Sequence, residues 1–149
     1  MFEKLFSRFK KAAPEKESND DTMALSVAAL LVEAARMDEH YDAREREIID
    51  GALASKFGLD PAGAAELRAR AEIEQANATD IQRFTKVAKT MSAEEKVGLV
   101  ETLWEVVLSD GAKDSYEDTL LRRICGLIYV DDQDSGAARA RVASRLNLS

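Results

Sequence analysis

The sequence contains one acidic pattern twice, and this internal repeat constrains the fold more than any other feature. Four acidic residues of the first copy recur 72 positions later, since 110 − 38 = 72 and the other three pairs share that offset. The pairs are Glu33 and Glu105, Asp38 and Asp110, Asp42 and Asp114, and Glu45 and Glu117. Each copy lies where one apolar helical run stops and the next begins. The repeat therefore predicts two similar helical halves, each with an acidic turn.

Hydrophobic spacing and capping signals predict about seven helices in the folded domain, and no segment has the alternation typical of strands. The expected spans are 22–37, 42–56, 61–77, 79–89, 92–109, 115–130 and 136–146. The spans 22–37 and 92–109 are the most apolar, so we expect them to be central and to pack on each other. The predicted fold class is all-α: a compact helical bundle of two pseudo-symmetric halves.

The first 21 residues differ in character from the rest of the chain. Residues 1–11 predict a basic amphipathic helix whose apolar stripe consists of Phe2, Leu5, Phe6 and Phe9. Such a helix can lie on an anionic membrane surface, or the stripe can pack on the body of the protein. Residues 12–21 are polar, contain Pro14 and lack periodicity, which indicates a linker. The folded domain is then expected to span 22–149.

Composition excludes several classes of protein. The net charge of −7 argues against a nucleic-acid binder and suits cations or a basic protein partner. Cys125 is the only cysteine and lies in an apolar run, so we expect a buried thiol and no disulfide. No apolar run is long enough to span a bilayer, and there is no secretory signal. The expected location is the cytoplasm, with the N-terminal helix as a peripheral membrane contact.

Part of the repeated acidic pattern has a purely structural interpretation. Asp42 and Glu45 are three residues apart at a predicted helix start, and Asp114 and Glu117 repeat this arrangement. Helix caps of this kind contribute about 1 kcal/mol each and require no ligand. These four carboxylates alone therefore do not establish a binding site.

Capping does not explain the other four acids. Asp38 and Asp110 lie at C-terminal helix ends, where the helix dipole disfavours a negative charge. Glu33 and Glu105 are lone acids in strongly apolar helical runs. A carboxylate in such a run must be paired, protonated or bound to a cation.

Convergence of the two turns would create a cation site. If an approximate two-fold axis relates the halves, up to eight carboxylates meet, and such hard oxygen ligands suit Ca²⁺, Mg²⁺ or Mn²⁺. Ion pairing with Arg36, Arg44 or Lys113 is the alternative. The stretch Asp110-Gly111-Ala112-Lys113-Asp114 lacks the ligand spacing of an EF-hand loop.

The second acidic turn resembles the motif of the tellurite-resistance protein B (TerB) family. Asp110-Gly111 with Glu117, between two apolar helices, matches the family's Asp-Gly followed by Glu, which the family carries twice. The first copy has Glu39 where Gly is usual, and the likeness covers about 22–146. The resemblance implies a compact all-helical bundle, an acidic metal-binding site and a bacterial stress-response role near the inner membrane.

Other chemistries have little support in the sequence. His40 is the only histidine, and there is no Gly-rich phosphate loop and no Cys/His ligand cluster. We therefore expect no enzymatic activity. The competing interpretation is an acidic helical adaptor that docks a basic protein partner and is tethered to the membrane by residues 1–11.

Overall fold

The computed structural model describes residues 15–37, 41–109 and 115–148, with side chains for 21–37, 41–109 and 119–148. The helices of this part are α1 (Glu15–Arg36), α2 (Ala43–Phe57), α3 (Pro61–Asn77), α4 (Gln82–Ala88), α5 (Ala93–Leu108), α6 (Ser115–Ile128) and α7 (Asp132–Arg145). The described residues contain no strand. The prediction of an all-α bundle of about seven helices is confirmed.

The helix boundaries with strong capping signals agree with the prediction. The Asp42 side chain caps α2, and Gly58 ends that helix in the left-handed conformation with φ 65°. The Asp60 side chain accepts a hydrogen bond from the backbone N–H of Gly63 and caps α3. Ser92 forms a capping box at the start of α5. These boundaries are readable from sequence because each depends on residues within one helical turn.

Three boundaries differ from the prediction. Helix α1 begins at Glu15, so residues 15–21 extend the central helix instead of forming part of a linker. Helix α4 begins at Gln82 without a side-chain cap, because the Asp80 carboxylate accepts from the Gln82 N–H and displaces the expected capping box. Helix α7 begins at Asp132 and not at residue 136, since the Asp131 side chain caps it.

Helix α1 is the centre of the bundle. It packs against α2, α3, α4, α5 and α6, and its residues 27–32 are all buried. The largest fully buried side chains include Leu30, Leu31, Phe84 and Leu103, which bring α1, α4 and α5 together. Burying a side chain of this size contributes about 1.5–3 kcal/mol, so α1 and α5 supply much of the core. The predicted pairing of the two apolar helices is confirmed.

The packing partners recur along the chain. Helix α1 packs most extensively on α3, and α5 packs most extensively on α7. At the end of α2, Gly58 (φ 65°) precedes Leu59, whose N–H donates to the Ala54 carbonyl. At the end of α6, Tyr129 (φ 68°) precedes Val130, whose N–H donates to the Cys125 carbonyl. Both are Schellman endings, and we call them the two capped corners.

Each capped corner leads directly into the next helix. Asp60 follows Leu59 and caps α3, and Asp131 follows Val130 and caps α7. The offset between the corners is 71, since 129 − 58 = 71 and 131 − 60 = 71. A left-handed residue, an apolar residue and a capping Asp therefore occur in the same order in both parts of the bundle.

Candidate cation site at the acidic turns

The structure describes only part of the predicted site. Glu33, Asp42, Glu45 and Glu105 are described with their side chains. The side chain of Glu117, on α6, lies outside the described residues, as do Asp38, Asp110 and Asp114 and the turns that carry them. The membrane-contact residues Phe2, Leu5, Phe6 and Phe9 also lie outside the described residues.

Asp42 and Glu45 form the predicted capping box at the start of α2. The Glu45 N–H donates to Asp42 Oδ1 at 3.1 Å, and the Asp42 N–H donates to Glu45 Oε1 at 3.2 Å. Glu45 is only 4% exposed, which is unusual for a carboxylate in a capping box. Its carboxylate is therefore buried at the position where the first acidic turn joins α2.

Glu33 is partly buried, and its partner is an amide group. Its Oε1 accepts a hydrogen bond from Gln75 Nε2 at 2.7 Å, which joins α1 to α3. The Gln75 amide oxygen in turn accepts from Arg36 Nη1. A carboxylate in this apolar run was expected to be paired, protonated or bound to a cation. Glu33 lies on the edge of α1 that faces α3, where it accepts a hydrogen bond from the neutral Gln75 amide.

Glu105 is also only partly buried. It lines a groove of about 420 Å³ between α2 and α5, together with Glu47 and Lys56. Burial lowers the pKa of Lys56, and the charges of Glu95 and Glu101 on α5 act in the opposite direction. Glu105 therefore faces a polar groove and is not enclosed by the apolar core.

The same groove shows how the two helices run. Lys56, near the end of α2, is close enough to Glu95, at the start of α5, for that charge to affect its pKa. Glu47, near the start of α2, lines the same groove as Glu105, near the end of α5. Helices α2 and α5 are therefore antiparallel. The end of α5 lies beside the start of α2, and the end of α1 is separated from that start only by residues 37–42.

The described ends of α1 and α5 therefore lie at one end of the bundle. In the sequence, Asp38 and Asp110 each come two residues after the last residue of these helices, since 38 − 36 = 2 and 110 − 108 = 2. The two acidic turns themselves lie outside the described residues, so their convergence stays a prediction.

A hydrogen-bonded network at this end was not predicted. The Tyr41 hydroxyl donates to Glu72 Oε2 at 2.6 Å, and Arg68 Nη1 donates to the same oxygen at 3.0 Å. Arg68 also pairs with Asp50 at 2.8 Å. The guanidinium of Arg46 lies 4.6 Å from the centre of the Tyr41 ring. These contacts join α2 and α3 to the chain segment directly after the first acidic turn.

The network changes the proton affinities of its members. Burial and the hydrogen bond to Glu72 raise the pKa of Tyr41, so its hydroxyl stays protonated and donates. Burial alone would raise the pKa of Glu72, but the hydrogen bonds from Tyr41 and Arg68 outweigh it and the pKa is lowered. Arg68 has a raised pKa, mainly through its hydrogen bond to Asp50. Glu72 is therefore ionised at neutral pH.

The described carboxylates do not form a complete metal site by themselves. Within 15–37, 41–109 and 119–148, no group of three or more His, Cys, Asp or Glu side chains has the spacing to hold a metal ion. Arg36, one of the cations that the sequence offered for ion pairing, donates to the Glu72 backbone carbonyl and to the Gln75 side chain. In this part of the chain, no helix is both long and apolar enough to cross a bilayer.

The described residues form an all-helical domain built on a central apolar helix. The chain belongs to the family of tellurite resistance protein TerB, whose model matches residues 24–140. No curated protein and no solved structure matches the chain. The resemblance read from the second acidic turn is confirmed.

Proposed function

We propose that this TerB-family protein is a non-enzymatic stress-response protein that binds a divalent cation between its two acidic turns. The ligands are drawn from Asp38, Asp42, Glu45 and their repeats Asp110, Asp114 and Glu117, with Glu33 and Glu105 nearby. The ion is Ca²⁺, Mg²⁺ or Mn²⁺, because carboxylate oxygens suit these hard cations.

The common location of the helix ends carries this proposal. That α1 and α5 end at the same end of the bundle is supported by the groove that Glu47 of α2 and Glu105 of α5 both line. The in-register repeat supports it, because the acids that follow these helices are the ones that capping does not explain. Glu45, which is buried in the first turn of α2, adds a carboxylate at this end of the bundle.

Calorimetric titration of the full chain with Ca²⁺, Mg²⁺ and Mn²⁺ in separate runs tests the proposal. Replacing both Asp38 and Asp110 by Asn removes two charges from the centre of the site. We expect this double variant to bind its preferred ion at least about 100-fold more weakly, because two charged ligands are lost.

A matched control is available at the two capped corners. Asp60→Asn with Asp131→Asn changes the net charge by the same amount, and Asn remains a competent helix cap. This control is expected to bind the ion like the unmodified chain. Equal weakening in both double variants would indicate diffuse charge attraction and would refute a specific site.

A link to stress is tested separately. In a tellurite-sensitive bacterial host, the unmodified chain is expected to improve growth on tellurite, and the Asp38/Asp110 double Asn variant is expected to lose that effect. Protection that survives in a variant unable to bind the ion would separate the stress role from the cation.

The alternative function is an acidic adaptor for a basic protein partner. The excess of 28 acidic over 21 basic residues favours such a partner. No heat with any of the three ions, together with capture of a partner that is lost in the Asp38/Asp110 variant, would support the adaptor. Residues 1–11 would tether either assembly to an anionic membrane, and deleting them is expected to reduce co-sedimentation with vesicles containing anionic lipid.

A further inference from the structure

A second pocket, of about 280 Å³, opens between α5, α6 and α7. None of the repeated acids with described side chains lines it. Its lining residues are Trp104, Arg122, Asp132, Ser135, Gly136 and Arg139. It is therefore separate in composition from the acidic turns, and nothing in the proposed cation chemistry uses it.

Two arginines of this pocket have no acidic partner among the described residues. Within the described residues, neither Arg122 nor Arg139 forms an ion pair, whereas Arg68, Arg141 and Arg145 each pair with a carboxylate. Asp132 lines the same pocket but pairs with neither arginine. Within the described residues, two guanidinium groups therefore line one pocket without an ion pair, and both can contact a ligand there.

Contacts within the protein fix the positions of the side chains that line this pocket. Trp104 is 7% exposed, and its Nε1–H donates to the hydroxyl of buried Ser135 at 3.1 Å. This bond fixes the plane of the indole. The guanidinium carbon of Arg139 lies 5.4 Å from the centre of the Trp104 ring, which positions it as a cation over an aromatic face. Arg122 approaches from α6 and is exposed.

We propose that this pocket binds a small free oxyanion, bearing a phosphate or carboxylate group, between the guanidinium groups of Arg122 and Arg139. The planar fork of an arginine matches two oxygens of such a group, and charge-assisted hydrogen bonds of this type are the strong ones. A volume of 280 Å³ accommodates a compact anion, because pockets for drug-sized ligands begin at about 300 Å³. Trp104 supplies the apolar wall.

Trp104 provides the measurement, because it is the only tryptophan in the chain. The full chain is titrated at neutral pH and constant ionic strength with inorganic phosphate, sulfate or acetate while indole fluorescence is recorded. We expect a saturable change with at least one anion. Stronger binding of phosphate and sulfate than of acetate would assign the tetrahedral class, and the reverse order would assign carboxylates; either result supports the site.

Variants decide whether the two arginines hold the anion. Arg122→Gln and Arg139→Gln are each expected to weaken binding by about tenfold or more, because each removes a charge-assisted contact. Calorimetry accompanies fluorescence for Arg139→Gln, since this substitution also changes the surroundings of the indole. Asp132→Asn is expected to tighten binding, because it removes a negative charge from the pocket wall.

Arg123→Gln is the matched control. Arg123 is adjacent to Arg122 on α6 and exposed, but it does not line the pocket. It is expected to bind the anion like the unmodified chain. Absence of saturable binding for all three anions, or equal weakening by Arg122→Gln and Arg123→Gln, would overturn the proposal. Neither result bears on the cation site, which is tested with different ions and variants.

Discussion

The contact between Tyr41 and Glu72 is the sharpest test of how the first acidic turn is anchored. The Tyr41 hydroxyl donates to Glu72 Oε2 at 2.6 Å, and the two residues are 31 positions apart. Tyr41→Phe removes this hydrogen bond and keeps the ring that Arg46 contacts. Glu72→Gln keeps the shape of the side chain and removes its charge.

The magnitude follows from the difference between charged and neutral hydrogen bonds. A hydrogen bond to a charged group contributes about 1.5–3 kcal/mol, and a neutral one about 0.5–1.5 kcal/mol. The Glu72 side chain is 20% exposed, so solvent screening reduces the difference. We expect each single variant to lower the free energy of unfolding by about 1–2 kcal/mol at neutral pH. The coupling energy of the double-mutant cycle should be about 1 kcal/mol.

The coupling energy between Tyr41 and Glu72 should depend on pH. The folded pKa of Glu72 is lowered from its ordinary value of 4.5, so its ionised contacts contribute fully above that value and are lost as pH falls through the folded pKa. Urea unfolding, followed by far-UV circular dichroism, measures the cycle at neutral pH and below pH 4.5. We expect the coupling between Tyr41 and Glu72 to decrease only in the acidic series.

A control lies two residues along α3. Glu74 pairs with Arg83, whose side chain is 55% exposed, and Glu74→Gln is expected to change stability by less than about 0.5 kcal/mol. A Tyr41–Glu72 coupling energy near zero at neutral pH, or one that is the same in acid, would refute the reasoning. The segment after the first acidic turn would then be held by ring packing alone.

Three further outcomes are expected, each measured by thermal or urea unfolding. Gly126→Ala should stabilise the chain by about 0.5–1 kcal/mol, because Gly126 lies inside α6 and an added Cβ meets no atom within 4 Å; a loss of stability would contradict this. Tyr129→Gly should change stability by less than about 1 kcal/mol, since relief of left-handed strain, about 1–2 kcal/mol, is offset by the loss of two exposed cation–π contacts with Lys89 and Lys96, about 0.5–1 kcal/mol each. Glu101→Gln should destabilise by about 1 kcal/mol at neutral pH, because two arginines of α7 donate to this carboxylate. Burial would raise the pKa of Glu101, but these bonds lower it, so the deficit of the variant should shrink only below pH 4.5.

Local signals made much of the fold predictable. Asp42, Asp60 and Ser92 cap their helices through atoms three residues away, so a short window of sequence contains the whole interaction. Gly58 was readable as a helix end for the same reason. The left-handed ending at Tyr129 could not be predicted, because tyrosine rarely adopts a positive φ.

Contacts between distant residues were not predictable. Tyr41 and Glu72 are 31 positions apart, as are Trp104 and Ser135. The residues around either member of a pair do not indicate which distant residue it contacts. Glu33 is a further case in which a distant residue determines the environment of a side chain. Its apolar neighbours in sequence indicated burial, but the position of Gln75 on α3 decides its environment. The repeat offers long-range information of another kind, because a sequence offset pairs distant acids, and their meeting in space stays a prediction.

The two capped corners also determine how the backbone should exchange hydrogen with solvent. The Leu59 and Val130 amides donate to carbonyls five residues earlier, at 3.1 Å and 2.9 Å, although both lie between helices. Amides in connections normally exchange quickly, whereas these two can exchange only when a helix ending opens. Both amides should therefore exchange more slowly than other amides in the connections between the described helices.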